Sequence, residues 1–187
     1  MAAVLSLGAC VLTAQTSGAI SLNIPDVTLR DQNGAEVRFA ELVRNRMVVM
    51  NFVFTSCTTI CSPMGANFGA LQTRLGEKSD VRLISISIDP ATDTPARLRQ
   101  WGERFHSGAS WTLLTGEPAD VEKLLRALGV YSPNRFSHSP LLLVGNGATN
   151  RWTRANGLLP PSGIVPLVEG LRTPSKSPSK SSEVTRK

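Results

Sequence analysis

The hydrophobic pattern of the 187-residue chain changes period several times, and each change marks an element. Asp26-Val27-Thr28-Leu29-Arg30 and Glu36-Val37-Arg38-Phe39 alternate in polarity, with Asn33-Gly34 between them. Period-two alternation around Asn-Gly predicts a β-hairpin whose two turn positions take positive φ. Met47 to Phe54 is a nearly unbroken apolar run, and Val81 to Ile88 is another. Runs of this kind read as strands buried on both faces. Between them, Phe68, Leu71 and Leu75 recur at helical spacing and Gly76 follows, which predicts a helix over roughly 61–75.

The same alternation continues. Thr94-Pro95 has the signature of an N-cap and first helical residue, and Leu98, Trp101 and Phe105 form the apolar stripe behind it. Residues 111–114 read as a short strand, and Val121, Leu124, Leu125 and Leu128 as a helix stopped by Gly129. Pro140 to Val144 and Arg151 to Arg154 predict a second β pair around Gly145-Asn146-Gly147, with a short helix near 161–171. Strands alternating with helices predict an α/β fold: a central mixed sheet, parallel in the middle, flanked by helices and preceded by the hairpin.

The two ends have a different character. Residues 1–19 are small and apolar without a charge, like the core and cleavage end of an export signal. A cut near Ser17-Gly18-Ala19, a short anchor, or lipidation at Cys10 in Leu7-Gly8-Ala9-Cys10 would each fit. Residues 1–21 are therefore read as a signal or anchor segment, 22–172 as the folded domain and 173–187 as a disordered basic tail. The expected location is extracytoplasmic, the periplasm in a bacterium, with the N-terminus as the membrane tether.

Net charge is +6, part of it in the tail, and aromatic residues make up 5% of the chain with no basic–aromatic interleaving. Nucleic-acid binding has no footprint here. Three cysteines exclude a disulfide-dense scaffold, and two histidines exclude a multi-histidine metal site. His106 is read as a solvated residue at a helix C-terminus.

The chemistry concentrates at Cys57 and Cys61, where the first apolar strand turns into a helix. A helix starting near Thr58 would project both thiols from one face, in or just before the first turn. Helix-end N–H groups there favour the thiolate, which both binds soft metals and attacks disulfides. A redox C-x-x-C pair in a first βα turn suggests a thioredoxin-like fold, and C-x-x-x-C is one residue wider. The pair thus has two readings: ligands for one ion, with Cu(I) the soft choice, or a redox couple. A purely structural disulfide would close too short a loop to add much. His138, in Ser137-His138-Ser139-Pro140, is the candidate third ligand, although spacing alone favours a loop histidine with an ordinary hydrogen bond. Asp89 and Asp93 are read as structural: a strand end and a turn before the Thr94 cap.

Taken together, Phe52 to Cys61, the segment Ile86-Ser87-Ile88-Asp89-Pro90-Ala91-Thr92-Asp93-Thr94-Pro95, Leu113-Leu114-Thr115-Gly116 and Ser137-His138-Ser139 resemble the Sco/SenC family over roughly residues 22–157. The resemblance implies a thioredoxin-like domain, outside the cytoplasm and tethered to the membrane; a monomer is the default expectation. It implies copper held by Cys57, Cys61 and His138, and delivery of that copper to the cytochrome c oxidase subunit carrying CuA. It equally allows a thiol–disulfide oxidoreductase in which Cys57 and Cys61 are the catalytic pair, or a copper or redox sensor. Ser62 stands before Pro63 where the family commonly has proline directly after the second cysteine, and Ser137 stands where it commonly has aspartate. A cis Ser139-Pro140 bond would hold the histidine loop close to the cysteines, as in disulfide reductases.

Overall fold

The computed structural model describes residues 18–76, 79–134 and 138–172. Cys10, nearly all of the 1–21 segment, Ser137 and the 173–187 tail lie outside them.

Seven strands form one sheet: β1 (Thr28–Asp31), β2 (Glu36–Arg38), β3 (Met47–Val53), β4 (Val81–Ser87), β5 (Trp111–Thr115), β6 (Leu141–Asn146) and β7 (Arg151–Asn156). Among the described residues five helices accompany them: α1 (Phe39–Val43), α2 (Cys61–Leu75), α3 (Pro95–Glu103), α4 (Pro118–Ala127) and, after the last strand, α5 (Pro161–Arg172). The spatial order is β2-β1-β5-β4-β3-β6-β7. β3, β4 and β5 are parallel, joined through α2 and α3; β6 runs antiparallel to β3, and β7 to β6. This is the thioredoxin-like arrangement, extended by the N-terminal hairpin, which joins antiparallel to β5.

Strand β3 explains the two layers. All seven of its residues are buried, and successive side chains point to opposite faces. Val48, Met50 and Phe52 pack with α1 and α4, whereas Met47, Val49 and Val53 pack with α2, α3 and α5. Asn51 is the polar exception. Its Oδ1 accepts from Ser85 Oγ at 2.6 Å, and Ser85 Oγ accepts from the Trp111 indole N–H at 2.9 Å. These bonds satisfy the Asn51 carbonyl, the Ser85 hydroxyl and the Trp111 indole, while Asn51 Nδ2 has no hydrogen-bond partner among the described residues.

Several local expectations change. The 31–35 turn is organised by Asp31, whose Oδ1 accepts from the N–H groups of Asn33 and Ala35. Gly34 takes φ +84°, but Asn33 is not among the residues at positive φ, so this is not the two-residue turn that Asn-Gly suggested. Helix α1 was hidden in the apparent lead-in to β3: only Phe39 and Val43 are buried, too few to print a helical period. His106 lies beyond α3 at φ +57°, and its carbonyl accepts from Gln72 Nε2, so it does not sit in the helix's last turn. Helix α2 approaches this connection closely. A Cβ at Gly65 would fall 2.5 Å from the Phe105 ring, and one at Gly69 would fall 2.4 Å from the Phe105 carbonyl oxygen.

Candidate functional site

Strand β3 ends at Val53, and seven residues, 54–60, connect it to α2. The cysteine turn is pinned at both ends. The Cys57 N–H donates to the Phe54 carbonyl at 3.1 Å, and the Cys61 N–H donates to Cys57 Sγ at 3.4 Å. Cys61 is the first residue of α2, and Ile60 before it offers no side-chain cap. The helix therefore begins three residues later than the start near Thr58 that would place both thiols on its face. Instead the Cys57 sulfur stands over the helix end and accepts one of its unsatisfied N–H groups. The two cysteines still meet, by this backbone-to-sulfur contact and by a hydrogen bond between their thiols, and not through helical spacing.

Their environments differ sharply. Cys57 is half-buried, while Cys61 is 1% exposed and packed in the α2-side core. Burial would raise the Cys57 pKa, but hydrogen bonds from Cys61 and from Thr59 outweigh it, and the net shift is downward. The Thr59 hydroxyl lies 3.8 Å from Cys57 Sγ. Cys61 is pushed up to about 12, first by burial and then by the same hydrogen bond, in which it keeps the proton. The pair therefore has one reactive sulfur and one reserve sulfur.

Below the turn sits Asp93, fully buried. Its two oxygens share the Thr55 N–H at 3.1 Å each; Oδ1 also accepts from the Thr55 hydroxyl at 2.5 Å, and Oδ2 from Ser87 Oγ at 2.7 Å. Arg97 Nε donates to the Thr55 hydroxyl at 3.2 Å. Asp93 thus ties the entry of the cysteine turn to the end of β4. Its role before the Thr94 cap was legible in the sequence; its reach back to Thr55 was not, because nothing in the spacing joins residues 55 and 93.

His138 enters from the neighbouring strand. β6 pairs antiparallel with β3, Leu142 opposite Asn51, so the segment preceding β6 arrives at the same end of the sheet as the cysteine turn. The imidazole packs edge-on against Phe52 with ring centroids 6.4 Å apart. It borders a cleft of about 330 Å³ lined also by Tyr131, Ser132, Leu141 and Arg154. Its Nε2 is buried and has no hydrogen-bond partner among the described residues. Burial lowers its pKa, so the ring is held neutral, the form that ligates metals. Among the described residues no three His, Cys, Asp or Glu side chains already stand close enough to hold one ion. The structure thus joins the two thiols and places His138 on the adjacent strand end, apart from them. No peptide bond among the described residues is cis, so Ser139-Pro140 is trans. The Pro140 carbonyl instead accepts from the Gly157 N–H at 3.1 Å, which fixes the segment to the end of β7.

The SCO1/SenC family model matches residues 21–146, a stretch that contains both cysteines and His138. The chain belongs to the SCO1/SenC family. A SCO1 protein homolog of Bacillus subtilis is 35% identical over 104 residues, covering 54% of this chain. The match covers 53% of that relative, so the chain spans about half the length of the curated protein it resembles. Two solved structures place this SCO1/SenC domain among its kin by fold. BsSco, described as a member of the Sco family of cytochrome c oxidase assembly proteins with a disulfide switch, superposes with a TM-score of 0.70 at 27% identity, over 83% of this chain and 96% of its own. Yeast Sco1 with copper bound superposes with a TM-score of 0.68 at 23% identity, over 86% of this chain and 93% of its own.

Proposed function

We propose that this SCO1/SenC protein is a copper metallochaperone whose cargo is held by Cys57, Cys61 and His138 and is passed to the CuA site of cytochrome c oxidase. One observation carries the reading: a neutral imidazole with an unpartnered, buried Nε2 stands at the same sheet end as two thiols already in contact. Two sulfurs and an imidazole are a soft donor set suited to copper. Yeast Sco1 has been solved with copper bound, and BsSco is described within cytochrome c oxidase assembly. Ligation by all three donors requires the imidazole to move toward the thiols. The apolar 1–19 stretch supports an exported, membrane-held location.

Anaerobic copper titration of the parent, Cys57→Ser, Cys61→Ser and His138→Ala proteins tests this. The parent should take up about one copper per chain. His138→Ala should bind more weakly, with an altered spectrum, while its thiols still react. Unchanged copper binding in His138→Ala would remove the imidazole from the site.

The contrast between the two sulfurs favours a second use of the same pair. The Cys57 thiolate attacks a partner disulfide, forming a mixed disulfide and releasing one partner thiolate. Cys61 then attacks Cys57 Sγ, giving up its proton, and releases the second partner thiol. The Cys57–Cys61 pair ends oxidised and the partner reduced by two electrons. Cys61→Ser should trap the mixed disulfide; a partner that is reduced equally well by Cys61→Ser would refute this route.

A further inference from the structure

We propose that the groove between the cysteine turn and helix α3 is a docking surface for an acidic segment of the partner protein. The proposal rests on the reading that Cys57 exchanges copper or electrons with a partner. The groove measures about 310 Å³ and is lined by Thr55, Arg97, Gln100, Trp101 and Arg104. Gln100, Trp101 and Arg104 lie three, four and seven residues after Arg97, so the four share one face of α3 and its C-terminal extension. Thr55, at one edge of the groove, lies two residues before Cys57 in the chain, so the groove opens next to the cysteine turn.

Charge and hydrogen bonding in the groove are both incomplete. Among the described residues neither Arg97 nor Arg104 has an ion-pair partner. Arg97 Nε donates to the Thr55 hydroxyl, and the Arg104 guanidinium lies 5.7 Å from the centre of the Phe105 ring. The only acid of α3, Glu103, reaches back to Arg99 at 4.0 Å. Asp93 is enclosed by Thr55 and Ser87. Trp101 is 1% exposed, and its indole N–H has no acceptor. The other two indoles are satisfied: Trp111 donates to Ser85 and Trp152 to Asn150. Two guanidiniums without a carboxylate partner in one groove, over the enclosed Trp101 ring, match a row of carboxylates, which accept hydrogen bonds and carry the opposite charge. Such complementarity speeds encounter and sets the register in which a partner presents its own thiols.

The test uses a capped, glutamate- and aspartate-rich peptide without cysteine, added to the ¹⁵N-labelled full chain. The Trp101 indole N–H resonance should move saturably while those of Trp111 and Trp152 stay. A lysine-rich peptide should leave all three in place, and added salt should weaken the acidic peptide's effect. Arg97→Gln together with Arg104→Gln should raise the apparent Kd about tenfold, and Arg104→Glu, remote from the Thr55 contact, should weaken binding on its own. Cys57→Ser should bind the peptide as the parent does, so the docking result stands apart from the copper and thiol results. No saturable Trp101 shift, an equal response to the lysine-rich peptide, or undiminished binding by Arg104→Glu would overturn the proposal. So would Arg104-dependent binding to phosphatidylglycerol vesicles with no response to the peptide.

Discussion

Replacing Asp93 with asparagine isolates what holds the cysteine turn in place. The carboxylate accepts from the Thr55 N–H with both oxygens, from the Thr55 hydroxyl and from Ser87 Oγ, and it is fully buried. Asparagine keeps the shape but turns one acceptor into a donor. Whichever way the amide is oriented, either the Thr55 or the Ser87 hydroxyl then faces an N–H. Neither hydroxyl is free simply to reverse, because Thr55 Oγ1 already accepts from Arg97 and Ser87 Oγ from the Asp89 N–H. Hydrogen bonds to a charged group contribute about 1.5–3 kcal/mol each. Losing one and weakening the others should cost about 2–4 kcal/mol. With a urea m-value of about 2 kcal/mol/M, the midpoint should fall by about 1–2 M. Urea titration followed by tryptophan fluorescence measures this. A second consequence has a definite sign. The Asp93 charge is one of the influences that raise the Cys61 pKa, so its removal should lower that pKa. In a Cys57→Ser background, Cys61 of the Asp93→Asn protein should alkylate faster at a given pH. A midpoint within about 0.2 M of the parent, with Cys61 reactivity unchanged, would show that Asp93 does not secure the turn.

Two further outcomes follow from the same geometry. With Cys61 pushed up to about 12 against an ordinary 9.0, its thiolate fraction at pH 8 is about a thousandfold below that of an ordinary thiol. Iodoacetamide should therefore modify Cys57 first, as read by peptide mass mapping; preferential labelling of Cys61 would refute the assignment. His138 has its pKa lowered by burial, so below about 6.5 the unfolded chain takes up a proton that the folded chain resists. Its neutral state contributes stability that is fully present above that pH and is lost as pH falls through the folded value. Urea midpoints across this range should drop less steeply for His138→Gln than for the parent, and parallel curves would contradict the buried neutral imidazole.

The sheet was readable because its strands are long runs with clear punctuation. Met47–Val53 and Val81–Ser87 lie where the apolar runs placed them, and Thr94 caps α3 by accepting from the Arg97 N–H at 3.3 Å. Helix α1 escaped because five residues cannot display a period. The cysteine turn was half legible. Residue types and their place after a buried strand identified the thiols, but their contact arises from a sulfur capping a helix end, a geometry that spacing rules do not encode. Asp93 shows the sharper difficulty. Its sequence neighbourhood explains a turn and a cap, yet its buried carboxylate serves Thr55, brought near only by the parallel pairing of β3 and β4. His138 was placed at the correct end of the sheet by topology, while its contact with Phe52 and its empty Nε2 depend on side-chain packing that no linear pattern records.

Strand β3 has no face turned to water. It cannot slide or twist without disturbing the layers on both sides, so its amides should exchange with solvent only when the whole domain opens. The turn that follows it is different: its outer residues, Ser56, Thr58 and Thr59, are exposed. Two clocks therefore run side by side across a few residues. The platform keeps its place for the lifetime of the fold, while the exposed side chains of the turn, outside the hydrogen bonds that pin it, can change rotamer on a far shorter timescale. A partner meeting this protein finds a moving hand on a fixed wrist.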